Sequence, residues 1–298
     1  MQSFSRGWDF LKQAWSMAFK DKDLLKPSVY ALIAGMIISV LGIIPLAGAY
    51  FIFSSEGIGE IVLFVLGGVL VFAQFVVTYV FSAMTVYLIY GYLSEGDGRM
   101  DKAWAIVRRD FFDILTLAAA STAVNLLRSA AQRNKKNTIT ANLMRSATSL
   151  LETLWTEAAY LILPAMVIDD LNLKDGLKRV ANIAKENLLL IGISTVGVRF
   201  VTGLIGFVFS VIGFAIAFAV GYGAVSLSGG DVTLSIVGII IGALIFFPFV
   251  MVASIFSSYT STAYHTCLYI WARDVEKARA ENSSVPVLAP APLAAVLA

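Results

Sequence analysis

Residues 61–92 read IVLFVLGGVLVFAQFVVTYVFSAMTVYLIYGY, thirty-two positions without one Asp, Glu, Lys or Arg. A helix rising 1.5 Å per residue needs roughly 20 apolar residues to cross a hydrocarbon core. This stretch is long enough to span and to tilt or extend beyond. Residues 27–52, 201–230 and 232–272 are equally free of charge. The chain of 298 residues is 58% apolar and 14% charged, where a soluble domain carries about 25% charged residues. The fold class that follows is all-α: a polytopic transmembrane helical bundle with interfacial amphipathic helices.

One membrane domain covers residues 1–281. Its first helix pair is 27–53, with Pro45 as a kink, and 60–92; its second is 200–222 and 234–272. Between them, 99–168 reads as a helical hairpin turning near residue 136. Trp104, Val107, Phe111, Ile114 and Ala118 form one continuous apolar stripe at its start. Ser121, Asn125, Arg128 and Gln132 share a helical face, and so do Asn142, Arg145, Ser149, Glu152 and Thr156, which gives the hairpin a polar seam.

Two amphipathic helices precede the pairs. Over 3–20, Phe4, Trp8, Leu11, Trp15, Ala18 and Phe19 fall on one face, and tryptophan favours the headgroup level, so this helix is assigned to the membrane surface. Packing on protein is the other use of the same stripe. Over 171–190 the apolar side is Leu173, Leu177, Val180, Ala184 and Leu188. The tail, 282–298, has no charge, three prolines and five alanines, and reads as disordered. A weak internal repeat links the two pairs: Phe81-Ser82 with Thr85 recurs as Phe256-Ser257 with Thr260.

Basic residues orient the bundle. The N-terminal segment holds five Lys and Arg, residues 93–110 four, 169–187 four and 272–281 three, whereas the turns 54–59 and 221–233 hold none. The positive-inside rule then places both termini in the cytoplasm of a multi-pass cell (inner) membrane protein. Residues 128–145, with five basic residues and no acid, break the rule if the hairpin spans and obey it if the hairpin is re-entrant. Six spans is the favoured count.

With these elements placed, the chain resembles an uncharacterised family of prokaryotic six-span integral membrane proteins, known only as a domain of unknown function. The resemblance rests on Phe4-Ser5-Arg6-Gly7-Trp8 with Trp15, on Lys22-Asp23-Leu24-Leu25, and on Ser121-Thr122-Ala123-Val124 with Leu127-Arg128. It continues through Leu163-Pro164-Ala165-Met166-Val167 and Gly176-Leu177-Lys178-Arg179, and covers most of residues 1–275. It implies the architecture and brings no activity.

Four constellations are candidates for chemistry or packing. Gly203, Gly206, Ser210, Gly213 and Ala217, with Gly238 and Gly242, are small residues at a spacing that lets helices approach closely, within the bundle or in a homodimer. Gln74, Thr78, Ser82 and Thr85 line one helix face, and Ser254, Ser258, Ser261 and His265 another. Together they form either a polar pocket for a solute or lipid headgroup or a set of interhelical hydrogen bonds.

Asp113, Glu152, Glu157 and Arg199 are costly in hydrocarbon. Arg199 is expected to pair with Glu157 first and Glu152 second, as a structural ion pair or a proton- or ion-coupling site. Arg133, Lys135 and Lys136 near the hairpin tip suit anionic lipid or a partner protein. One cysteine (Cys267) and one histidine allow no intramolecular disulfide and no recognisable metal motif. No catalytic site and no cofactor is expected, nor nucleic acid as a partner.

The leading functional expectation is a non-catalytic scaffold, assembly or lipid-organising protein. A small-solute or ion transporter or channel with a midplane polar site comes second, and a membrane enzyme acting on lipids third. A cavity reaching the midplane and lined by Glu152 or Glu157 favours transport. The orientation is testable directly. Cysteine introduced at Ser55 or Ser228 in a Cys267→Ser background is expected to react with impermeant maleimide in intact cells, whereas labelling at Ser94 overturns the topology.

Overall fold

The computed structural model describes residues 2–53, 58–133, 139–227, 231–282 and 287–297. The elements are α1 (Gln2–Lys20), a 3-10 turn (Lys22–Leu24), α2 (Lys26–Phe53), α3 (Ile58–Glu95), α4 (Met100–Arg109) and α5 (Phe111–Arg133). They continue as α6 (Ile139–Asp169), α7 (Leu173–Leu227), α8 (Val232–Ala280) and α9 (Ala291–Leu297). Among the described residues six helices are long and apolar enough to cross a membrane.

α2 pairs with α3, α5 with α6 and α7 with α8, while α3 also packs on α5, α6 and α8. Because successive spans alternate in direction, the ends of α3, α6 and α8 and the starts of α5 and α7 gather at one side of the bundle. There the core forms, around Met84, Leu88, Ile114, Ile162, Tyr264 and Leu268. Toward the opposite side the helices expose apolar faces such as Ile44, Phe51, Val65, Phe214, Ile239 and Leu244, a surface that lipid solvates. Over an 18-residue apolar stretch of each span, 33% and 44% of the residues are buried in α5 and α6, the two least apolar, against 0–11% in the other four. Enclosure by neighbours replaces lipid exposure where the sequence is polar.

The α1 stripe is spent on protein. Phe10, Leu11, Ala14 and Ala18 are buried; the Trp15 indole donates to Thr260 Oγ1 at 3.0 Å, and Tyr259 OH donates to the Ala14 carbonyl at 3.0 Å. Trp8 and Phe19 stay exposed, at 41% and 61%, and are what α1 presents outward. Past α1, the Asp21 carboxylate accepts the Asp23 N–H at 3.0 Å and the Gly98 N–H at 2.8 Å, tying the α1–α2 corner to the loop after α3.

Three expectations change. The helices read as 171–190 and 200–222 are one helix, α7, of 55 residues; it contains no proline, so nothing interrupts its backbone ladder. The stripe from Trp104 to Ala118 is broken at Asp110, which caps α4 at φ −93°, ψ 11°. Its carbonyl nonetheless accepts the Ile114 N–H at 2.9 Å, so the break is a bend. The tail read as disordered carries α9, which packs on α1. Its Leu293 is fully buried, and the Pro290 carbonyl accepts the Leu293 and Ala294 N–H groups at 2.8 and 2.9 Å. Prolines restrict the unbound tail, so ordering it costs less than composition suggests.

The small residues of α7 and α8 meet over part of their length. A Cβ on Gly238 would lie 2.7 Å from Ala224 Cβ, one on Gly242 2.9 Å from the Ala217 carbonyl oxygen, and one on Gly213 2.7 Å from Phe249 Cβ. Gly203 and Gly206 have nothing within 4 Å of such a Cβ, and Ser210 is half-buried. Gly238→Ala and Gly242→Ala are therefore expected to destabilise the protein by about 1–3 kcal/mol each, as overpacking does. Gly203→Ala and Gly206→Ala should leave the melting temperature in detergent unchanged or slightly raised.

Candidate functional site

A chamber of about 510 Å³ lies between α2, α3 and α8. Gln74, Thr78, Ser82 and Thr85 line it from α3, Ser254 and Ser258 from α8, and Ser28, Gly35 and Ser39 from α2. Six of the eight residues expected to form a polar pocket thus share one cavity. The opposite wall on α2 was missed, although Ser28, Gly35 and Ser39, spaced seven and four apart, mark one face of an otherwise apolar helix.

The polar groups are unequally occupied. Gln74 Nε2 donates to the Gly35 carbonyl and to Ser39 Oγ, both at 2.8 Å, which uses both amide hydrogens and leaves Oε1 as an acceptor. Thr78 and Thr85 donate to the carbonyls of Gln74 and Phe81, at 2.8 and 3.0 Å. Among the described residues no charged side chain lines the chamber.

Two smaller cavities also have Thr78 in their lining. One, of about 310 Å³, includes Ser39, Gln74 and Asn125; the other, of about 100 Å³, includes Ser82, Ser121, Asn125, Glu152 and Trp155. Around the latter, the Trp155 indole donates to Ser121 Oγ at 2.8 Å, and Tyr79 OH shares a 2.7 Å hydrogen bond with the same oxygen. Arg128 on α5 bridges to Glu152 on α6 through Nη1, and its Nε has no partner among the described residues. The seam of the α5–α6 hairpin is therefore an ion pair flanked by hydroxyl, amide and indole groups.

Arg128 is a partner of Glu152 that the expected pairing with Arg199 does not include. The Arg199 side chain lies outside the described residues, as do Lys135, Lys136 and the Arg133 side chain. Glu157 faces the only histidine: His265 Nε2 is 3.2 Å from Glu157 Oε2, and His265 Nδ1 is 2.7 Å from the Ser261 carbonyl oxygen. A carbonyl only accepts, so Nδ1 carries a proton. The ring stacks on Tyr160 at 4.8 Å and is 3% exposed as a residue. His265 and the Ser261 carbonyl thus belong to the α6 contact and leave the chamber. Asp113 is half-buried in the first turn of α5, where the helix N-terminus favours a carboxylate.

A third polar cluster, unforeseen, closes the bundle where α6, α7 and α8 meet. Asp169 accepts from Tyr269 OH and from Arg273 at 3.2 Å, Arg179 pairs with Glu276, and Arg273 lies 5.6 Å over the Tyr90 ring. Arg109 spans 3.2 Å to Asp170, whose left-handed φ of 55° ends α6. Among the described residues no group of three His, Cys, Asp or Glu side chains could hold a metal ion.

Removing one member of a pair enclosed by helices strands the other, while replacing both with apolar residues is far less costly. Arg128→Leu and Glu152→Leu are each expected to lower the melting temperature, with the double mutant closer to wild type. A coupling energy of about 0.5–3 kcal/mol is anticipated; simple additivity in a detergent thermal-shift assay excludes the bridge.

No model of a known protein family matches this chain and no curated protein matches it in sequence, so its resemblance to a six-span family rests on the quoted motifs alone.

Proposed function

We propose that this chain is a multi-pass protein of the cell (inner) membrane, with both termini cytoplasmic, that binds an uncharged, hydrogen-bonding molecule within its membrane domain and carries it across. It acts without a catalytic site or cofactor. The observation that carries this reading is the chamber of about 510 Å³, which shares Thr78 and Ser82 with the lining of a cavity that also includes Glu152. From Ser28 to Val40 its α2 wall extends about 18 Å at 1.5 Å per residue, more than half of a hydrocarbon core about 30 Å thick. A packed scaffold has no use for such a volume. The size falls within the range of small-molecule sites, and the lack of lining charge argues against an ion as the chamber's occupant.

A lipid-organising scaffold is favoured by two features. Gly203 and Gly206 stand open on α7, as a helix from a second protein would require, and α1, α4 and α9 attach to the bundle beside the shared core. Anionic lipid at Arg133, Lys135 and Lys136 is compatible with either reading.

The two diverge in whether water reaches the chamber. In a Cys267→Ser background reconstituted into vesicles, Ser82→Cys and Thr78→Cys are expected to react with a small charged methanethiosulfonate reagent. Reaction with lipid-soluble maleimide alone sinks the carrier reading and returns the chain to the scaffold class.

A further inference from the structure

We infer that the chamber's ligand is an uncharged amphiphile, with hydroxyl groups at its head and a hydrocarbon chain, that enters sideways from the bilayer between α2 and α8. This deepens the carrier reading and rests on the chamber being a ligand site.

The first argument is hydrogen-bond inventory. The Gln74 amide hydrogens and the Thr78 and Thr85 hydroxyl hydrogens are already given to helix α2 or to carbonyls of α3. What these groups still offer the cavity is acceptor lone pairs. Only serine hydroxyls, which both donate and accept, complete the set, at Ser28, Ser82, Ser254 and Ser258 and at Ser39, whose oxygen already accepts from Gln74. A phosphate or carboxylate group brings a charge that, in hydrocarbon, needs a cation beside it; among the described residues the lining has no Lys, Arg or His, and both Gln74 amide hydrogens are taken. A head bearing O–H groups finds acceptors in a row along α3, from Gln74 to Thr85.

The second argument is the opening. At the end away from Ser28 the wall is Val40 and Phe247, which are 62% and 49% exposed on the outward surface of α2 and α8. These surfaces are apolar and belong to spans, so this edge of the chamber meets hydrocarbon. A ligand polar throughout would leave that edge unmatched. A chain attached to the head fills it and passes between α2 and α8 into the lipid.

The full chain, reconstituted in phosphatidylcholine nanodiscs with a trace of diazirine-bearing diacylglycerol, tests this. After photolysis, adducts are expected to concentrate on peptides from 28–40 and 247–258, at least fivefold above those from an equally dilute diazirine phosphatidylglycerol. Ser82→Ala with Ser258→Ala should reduce the diacylglycerol adducts at least threefold without moving the melting temperature. Equal labelling by the two probes, or diacylglycerol adducts spread over outward positions such as Ile44 and Leu244, overturns the inference. Thiol reactivity at Ser82→Cys runs in parallel. Reaction there without diacylglycerol enrichment removes this ligand class and leaves the carrier reading standing, whereas failure of both removes both.

Discussion

Hydrocarbon offers no hydrogen bonds, so every polar group that this chain carries into the membrane must find its partner in the protein or in something the protein admits. The arrangement of the spans follows from that rule. Over their apolar stretches the four most apolar spans bury few residues, and the two that carry Asn125, Arg128, Glu152 and Glu157 bury the most. α3 joins the two environments: Tyr79 turns toward Ser121 of the hairpin, while Gln74 turns toward Gly35 and Ser39 of α2. The chamber is a large place among the described residues where the rule is left for a guest to complete.

The sequence revealed the parts of this design that depend on absence of charge or on spacing along one helix. The spans, the polar face from Gln74 to Thr85 and the seam of the hairpin are all patterns within single segments. What it concealed depends on how segments meet. Arg128 and Glu152 lie on separate segments, and only the antiparallel register of α5 on α6 brings them together. His265 lay on the same face as Ser258, yet contact with α6 draws it to Glu157 and out of the cavity. The order in the tail was illegible for a similar reason. Its composition says nothing of the apolar recess beside α1 that accepts Leu293.

The repeated Phe-Ser and Thr motif has a physical counterpart in both hairpins. Thr85 donates to the carbonyl of Phe81 and Thr260 to that of Phe256, at 3.0 and 2.6 Å. Each phenylalanine also meets a tryptophan from a surface helix: Phe81 meets Trp104 of α4 at 6.4 Å, and Phe256 meets Trp15 of α1 at 4.7 Å. The surface helix that precedes the first hairpin therefore buttresses the second. Such cross-bracing links the halves of the chain without a continuous span between them.

The hairpin of α7 and α8 pairs members of unequal stiffness. α7 runs 55 residues without a proline, about 80 Å at 1.5 Å per residue, and behaves as a rod. α8 contains Pro248, which lacks the N–H that would hold it to the turn before and so acts as a joint. Phe249, beside that joint, rests on Gly213 of the rod, and Phe247, on its other side, belongs to the chamber wall. Residue 248 is thus the weak point in the pair's backbone, with Gly213 the contact beside it, and a bend there would carry the Phe247 ring across the chamber's lipid-facing edge.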